Sequence, residues 1–415
     1  MDAPLLVTLA TRNLARNLRR TLITGVTVTF GVAVSVVGWG LVEGLDENVL
    51  RAARTTQTGD VLLRPQGYPT DGMDWPLAEA KVPDPALTAR LDAAGTWAPR
   101  TYAMVRLVKG ADAARVLAIA WDPARDGTVF PRDAWTVEGA WPTTAPGGVA
   151  AAPEVSGLVL GRGLARLLDV KVDDEVILEG RTREGALNAL PFRVTGIVRT
   201  DNAAMDNLAA WVRMDDAEAL LLLGGARTHV AVKLRDDAEA AALAREVATQ
   251  GWDARTTREE VADVLALNDL RRKALVLLVG VVMAIAGTGI ANTVIMSVYE
   301  RVREIGTLLA MGLRRAQVRA LFLLEGAVLG VTAGLAGAGL GAALVVHFQT
   351  NGIDLGAELA QAGGNTPMSA VLFTRFTWPP LLGSLAFGVL MAVGASLWPA
   401  HHAAGLHPAD ATRAD

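Results

Sequence analysis

Apolar residues in this chain are bunched rather than spread, and four bunches are long enough to cross a bilayer as helices. They run over residues 21–42, 274–298, 321–346 and 381–399. A crossing helix needs roughly 20 mostly apolar residues, because each adds about 1.5 Å against about 30 Å of hydrocarbon. The first run holds no charge, and the only ionisable residue in the third is Glu325, close to one end. A cleaved leader has a shorter apolar core, so the first run is expected to persist as a helix. The predicted architecture is therefore four membrane-spanning α-helices and one large polar insertion after the first.

Charge orients that layout. Arg12, Arg16, Arg19 and Arg20 precede the first run, and Arg301, Arg303, Arg314, Arg315 and Arg319 fill the link between the second and third. Basic residues at span ends stay cytoplasmic. The insertion then lies outside, and the C-terminus inside. Arg271, Arg272 and Lys273 run against this rule, but long translocated domains override such local charge. On a helical wheel the early arginines share one face, with Val7, Ala10, Leu14 and Leu18 opposite, the pattern of a helix lying in the headgroup plane. The predicted order is an interfacial helix over 1–20, spans over 21–44, 271–299, 320–347 and 379–400, and an outer domain over 45–270. A cytoplasmic link at 300–319, a short outer loop at 348–378 and a tail at 401–415 complete it.

Inside the insertion, the periodicity alternates between strand and helix. Strands are expected at 60–64, 97–108, 228–234 and 252–256, and helices at 85–94, 215–223 and 236–249. Residues 160–199 read as mainly β with a helix near 162–168, which suggests a second lobe inserted into the first. The expected fold of the domain is α+β in two lobes.

Composition adds exclusions. The chain has 415 residues, 51% hydrophobic and 20% charged, and no cysteine, so disulfides, thiolate metal sites and a cysteine nucleophile are excluded. No glycine is followed by lysine, so there is no phosphate-binding loop, and the Gly161-Arg162-Gly163 cluster lacks its spacing. No histidine precedes a glutamate, and no Gly-x-Ser-x-Gly elbow is present. His401, His402 and His407 have no carboxylate or cysteine at ligand spacing, so no metal site and no catalytic residue is expected. ATP hydrolysis, if it drives this protein, belongs to another subunit.

The link between the second and third runs is the most informative stretch. Glu300, Arg301, Arg303 and Glu304 alternate with Ile305, Leu308 and Leu309 at helical spacing, and Gly312 is placed to end the helix. Such a helix is too short to cross and too apolar on one side for water, which suits docking to a partner. Glu300-Arg301-x-Arg303-Glu304-Ile305-Gly306-x-Leu308-x-Ala310-x-Gly312 resembles the signature of FtsX/MacB-type permeases of ATP-driven transporters. Phe322-Leu323-x-Glu325-Gly326 and Trp398-Pro399-Ala400-x-x-Ala403-Ala404-x-Leu406-x-Pro408-x-x-Ala411 are similar to that family's third span and ending, although Thr412-Arg413 only partly matches its final pair. The FtsX-like part covers 271–413.

The resemblance implies mechanotransmission. Two ATP-binding subunits, using ATP and magnesium, would drive a dimer of identical or paralogous permeases in a bacterial inner membrane, with the large domain in the periplasm. Glu300, Arg301, Arg303, Glu304, Ile305, Gly306, Leu309 and Gly312 would couple to them, and this chain would bind no cofactor or nucleic acid. Gly59-Asp60-Val61-Leu62-Leu63, Leu160-Gly161-x-Gly163-Leu164-Ala165 and Phe192-x-Val194-x-Gly196-Ile197 look similar to lipoprotein-releasing permeases of the LolC/LolE kind, which implies lipoprotein cargo. Acyl chains would then enter a cleft lined by Val36, Val37, Leu41, Leu275, Leu278 and Val282. A MacB-like exporter with a periplasmic adaptor, and a signalling permease controlling a cell-wall hydrolase, are the competing readings. Gly326, Gly330 and Gly334, continued by Gly337 and Gly341, are expected to bring helix backbones close, since lipid offers little hydrophobic drive for association. Thr288, Asn292 and Met296 share a face of the second span, as a buried polar stripe or with intrahelical bonds.

Overall fold

In the computed structural model, residues 8, 10–13, 16, 18–69, 75–142, 155–200, 202–354 and 371–405 are described. They form two compact units. One gathers the chain up to Asp46, Leu267–Ile353 and the chain from Phe373 on; the other gathers Glu47–Ala266 with Asp354–Leu372.

The first unit is a helix bundle. Its helices Leu18–Ala53, Ala262–Glu300, Arg315–Asn351 and Trp378–Ala404 have 36, 39, 37 and 27 residues. The first three outrun their apolar runs, and at 36 residues the first is about 54 Å long, well beyond the hydrocarbon thickness. The fourth starts where Pro379 and Pro380 fall in its first turn, positions that have no hydrogen bond to lose.

Glycine governs how closely these helices pack. A Cβ on Gly326 would lie 2.1 Å from Ser396 Oγ, and one on Gly330 would lie 2.7 Å from the Ala392 Cβ, so this end of the third helix meets the fourth. Gly334 still faces the fourth helix, at Leu385. Just under one turn further the stripe changes partner: added Cβ atoms on Gly337 and Gly341 would come 2.4 Å from the Thr29 carbonyl and 2.8 Å from the Val36 Cβ of the first helix. Hydroxyl pairs supplement the contacts, with Ser35 to Ser384 at 2.8 Å and Thr24 to Thr293 at 2.7 Å. The first helix thereby touches all three others. Thr288 bonds back to the Ala284 carbonyl at 3.0 Å and is exposed, as are Asn292 and Met296, so this face is intrahelically satisfied at Thr288 and open to the outside of the bundle.

The arginines that break the charge rule have a local explanation. Arg272 reaches Asp46 at 3.1 Å and Glu43 at 3.6 Å, both on the first helix, and Asn268 bonds Asp46 at 2.8 Å. Two carboxylates of the neighbouring helix offset this cation.

The second unit is built on one ten-stranded sheet. Its strands are β1 (Val61–Pro65), β2 (Gly95–Lys109), β3 (Asp112–Trp121), β4 (Thr136–Gly139), β5 (Ser156–Gly161), β6 (Glu175–Arg181), β7 (Leu187–Val198), β8 (Ala209–Arg213), β9 (His229–Leu234) and β10 (Trp252–Thr256). The order runs β10-β1-β9-β2-β3-β8-β5-β7-β4, and β6 pairs with both β2 and β7. Strands β2, β3, β8, β5, β7 and β6 therefore close a six-membered ring. Alternate residues of β2 serve different cores: Ala103, Val105 and Leu107 fill the ring with Leu178 and Phe192, while Ala98 and Tyr102 join Trp121 and Trp211 on the other face. A further core lies where helices Pro85–Ala94 and Ala240–Ala248 cover β1, β9 and β10 with Leu87, Leu91, Leu243 and Val247. The two expected lobes are these two cores, and the sheet is continuous between them.

Local chemistry places the elements. Asp84 caps the first of these helices, accepting the Leu87 N–H at 2.7 Å, with Pro85 following it. Gly59 turns the chain into β1 at φ +63°, and a Cβ there would lie 2.5 Å from the Val232 carbonyl. Arg100 and Asp126, both without exposed surface, bond at 2.7 and 3.0 Å, and Arg100 also donates to the Thr56 carbonyl at 2.6 Å. Beside them His229 is buried, 4.5 Å edge-on from Tyr102. Burial and the nearby Arg64 and Arg100 push its pKa well below the ordinary imidazole value.

Candidate functional site

The chain leaves the second long helix at Glu300, kinks at Arg301 with φ −121° and ψ 16°, and forms a two-turn helix over Val302–Ala310. Gly312, at φ +95°, then turns it towards the third long helix. Positive φ is where glycine costs least, and the Gly312 N–H closes the helix end on the Leu309 carbonyl at 3.1 Å.

The short helix is amphipathic in fact. Ile305 and Gly306 are buried and Leu309 half-buried against the bundle core, which includes Phe322 and Val318. Arg303, Glu304, Thr307 and Ala310 face outward, and Met311 beyond them is 76% exposed. Arg314 and Arg315 are exposed beside it. An exposed thioether thus lies among guanidiniums, a flexible apolar side chain able to adapt to what packs on it.

The anchoring is ionic. Arg301 is 7% exposed and donates to Glu325 Oε1 at 3.2 Å, and Glu325 is 5% exposed inside the third helix. Asn13 donates to the same carboxylate oxygen at 2.6 Å. Two further pairs tie the N-terminal residues to this region, Arg20 with Glu300 at 3.1 Å and Arg16 with Glu304 at 3.2 Å. These latter pairs are solvent-exposed and individually worth under about 1 kcal/mol, whereas breaking the buried pair is far costlier.

The eight residues expected to couple thus divide by geometry. Glu300, Arg303, Glu304 and Gly312 are exposed and able to touch a partner. Arg301, Ile305 and Gly306 are buried and hold the helix in place, with Leu309 between. Sequence reasoning did not assign Glu325, Asn13, Arg16 or Arg20 to this site. The available signal was that Glu325 is the sole ionisable residue of its apolar run, which in a bilayer demands a partner. Val7, Leu14, His407 and the chain after Gly405 lie outside the described residues, and nothing is said of the Leu308 side chain.

The residues expected to line an acyl cleft between the outer halves of the first two spans of a dimer differ in exposure within one chain. Val36 is buried against Gly341, Leu275 packs over Gly38, and Leu278 is 55% exposed, with Val37, Leu41 and Val282 half-buried. A groove of about 590 Å³ lies nearby within the bundle, lined by Ser35, Trp39, Glu43, Val276, Pro380 and Phe387 among others. Among the described residues no three His, Asp or Glu side chains gather as metal ligands. His402 instead stacks on Trp398 at 6.2 Å and meets the edge of Tyr299 at 6.0 Å.

Comparison with known proteins matches residues 21–250 to the MacB-like periplasmic core domain and residues 276–408 to the FtsX-like permease C-terminal region. Similar proteins include a lipoprotein-releasing system transmembrane protein LolC of Xylella fastidiosa, 25% identical over 63% of this chain and 65% of its own. A LolE of Haemophilus influenzae is 28% identical over 61% of this chain and 63% of its own. A macrolide export ATP-binding/permease protein MacB of Rhodospirillum rubrum is 28% identical over 98% of this chain and 60% of its own. The chain therefore spans less than two thirds of the length of these relatives. Among solved structures, the periplasmic region of MacB from Actinobacillus actinomycetemcomitans aligns with a TM-score of 0.33 at 13% identity, over 50% of this chain and 92% of that one.

Proposed function

Because this chain belongs to the family of MacB-like periplasmic core domains and carries an FtsX-like permease C-terminal region, we propose that it is the membrane subunit of an ATP-driven transporter of the mechanotransmission type. Work enters at the helix Val302–Ala310, where two copies of an ATP-binding subunit dock against Arg303, Glu304, Met311 and the neighbouring arginines. The observation that carries this reading is the buried Arg301–Glu325 pair at 3.2 Å. It fastens the docking helix to a membrane span, so that a push on the one is a push on the other. ATP and Mg2+ are used by the partner, and this chain binds neither. Two covalent routes out of the bundle are the helices Leu18–Ala53 and Ala262–Glu300, and the domain they lead to acts on cargo outside the inner membrane. A second permease, identical or paralogous, completes the assembly, and the exposed Ala284, Thr288 and Asn292 offer it a small and polar face.

The cargo proposed is lipoprotein, extracted from the outer leaflet for delivery onward. The LolC and LolE relatives support it. The MacB relative, similar along nearly the whole chain, supports a second reading in which a periplasmic adaptor receives exported substrate.

The test is reconstitution of the permease with its ATP-binding subunit in proteoliposomes. ATP-dependent release of a triacylated lipoprotein, lost in Glu304→Arg and Arg303→Glu variants that keep their melting temperature, is the expected result. A stable adaptor complex without lipoprotein release would select the second reading. Unchanged ATPase stimulation in both variants would remove the coupling role altogether.

A further inference from the structure

The groove of about 590 Å³ in the bundle takes its walls from the first, second and fourth long helices. Its deeper polar groups are spent on each other, since the buried Ser35 and Ser384 bond at 2.8 Å. Pro379 and Pro380 fill the first turn of the fourth helix, where other residues would present unsatisfied N–H groups. Val276 and Phe387 are 53% and 38% exposed, and a Cβ on Gly383 would meet nothing within 4 Å. The groove is thus apolar and open at its side. In a bilayer that side faces hydrocarbon.

Its length is that of one leaflet. From Thr377 to Phe387 the fourth helix rises about 15 Å, and from Ser35 to Glu43 the first rises about 12 Å, against about 30 Å for the whole hydrocarbon core. One end is polar. Glu43 is the only charged side chain among the described residues of the lining, and Trp39 lies one turn away on the same helix. Tryptophan favours the headgroup level of a membrane. Glu43 pairs with Arg272 at 3.6 Å, too long for a hydrogen bond, and Arg272 lies outside the lining and closer to Asp46, at 3.1 Å. A carboxylate has about four acceptor positions, so this pairing leaves Glu43 able to take N–H donors.

We propose that the groove holds one acyl chain of a phospholipid whose head carries a primary ammonium. The ammonium sits on Glu43, the glycerol region beside Trp39, and the chain along Val276, Gly383 and Phe387. Charge selects the head: an ammonium complements the carboxylate and donates N–H bonds to it, and a head without a cation has nothing to offer there. The inference rests on the four helices spanning a membrane, and not on the cargo or the coupling helix.

The experiment uses the full chain in phosphatidylcholine nanodiscs. These carry a minor fraction of phosphatidylethanolamine or phosphatidylglycerol with a photoreactive diazirine near the end of one acyl chain. Labelled peptides are mapped by mass spectrometry. The ethanolamine probe should label residues 279–283 and 383–387 saturably, and should exceed the glycerol probe there by about fivefold. In Glu43→Gln the two probes should label alike. Gly383→Phe, whose ring would fill the groove, should cut labelling by at least about fivefold and melt no lower than the parent, because its Cβ enters open space. Equal labelling by the two probes in the parent chain, a preference that survives in Glu43→Gln, or unchanged labelling in Gly383→Phe would each overturn the proposal. Displacement of the ethanolamine probe by a triacylated lipopeptide, but not by unlabelled phosphatidylethanolamine, would assign the groove to cargo and overturn it as well.

Discussion

Replacing Glu325 by leucine leaves a guanidinium, 8% exposed as a side chain, with only the exposed Glu304 carboxylate, 4.0 Å away, as counter-charge. At 3.2 Å the attraction between the two groups is about 5 kcal/mol for an effective dielectric constant near 20. Taking both ions out of water costs several kcal/mol each, so the intact pair adds little net stability. The asymmetry is what can be measured. Glu325→Leu should destabilise the bundle by about 3 kcal/mol, because a buried charge remains whose other partner, Glu304, is exposed and 4.0 Å away. Arg301→Leu should cost less, since Asn13 still satisfies Glu325 at 2.6 Å. In the double variant most of the loss should return, giving a coupling energy of about 2–3 kcal/mol in a double-mutant cycle. The cycle is read from thermal unfolding in detergent, followed by tryptophan fluorescence. Stimulation of the ATP-binding partner should fall in both single variants well below their melting temperatures and stay low in the stabilised double variant. Additive losses, or a Glu325→Leu cost under about 1 kcal/mol, would refute the reasoning, because exposed ion pairs behave that way.

Other outcomes follow from particular contacts. Gly337→Ala should lower bundle stability by about 1–3 kcal/mol, because its Cβ would meet a backbone carbonyl, while Gly339→Ala, with open space around it, should be neutral or mildly stabilising; thermal unfolding of the two separates the effects. His229 has a depressed pKa in the folded state, so the stability it contributes is complete above the unfolded value of 6.5 and is lost as pH falls below it. Melting of the second unit should therefore weaken below pH 6.5, approaching about 1.4 kcal/mol per pH unit roughly one unit lower, a contribution that His229→Gln should remove. Asp216 is shifted upward by burial, and its stabilising share is greatest at low pH and disappears as pH rises through its folded value. Asp216→Asn should accordingly raise stability at neutral pH, and leave it unchanged at low pH, in the same melts. Asn292→Leu should weaken self-association of the permease by about 0.5–2 kcal/mol, measured by dilution in detergent micelles.

Much of the architecture could be read from local pattern. The helix at 85–94 and the strand at 252–256 coincide with observed elements, because Asp84, Pro85 and Gly95 punctuate the one and period-2 alternation carries the other. Strands β3 and β8 were not anticipated. Ala113, Ala114, Ala118 and Ala120 in β3 and Ala209 and Ala210 in β8 have weak strand propensity, and tertiary pairing overrides it. The length of the membrane helices was underestimated for a related reason. Glu43 and Asp46, and Arg271 to Lys273, end the apolar runs but do not end the helices, since polar residues propagate a helix well once it leaves lipid. Between the second and third long helices, amphipathy within ten residues marks the short helix Val302–Ala310. The pair that secures it joins residues 24 apart, with no periodic signal to connect them.

The fifteen residues of β2 take part in the ring, in the helix-covered core and in the aromatic layer between them. A strand shared in this way denies each half an independent melting event: unzipping one strips the other of a wall. Cargo handling by such a domain would proceed by rigid displacement, not by one half loosening while its neighbour stays intact. In native-state exchange, amides from Gly95 to Lys109 would then fall into a single cooperative group.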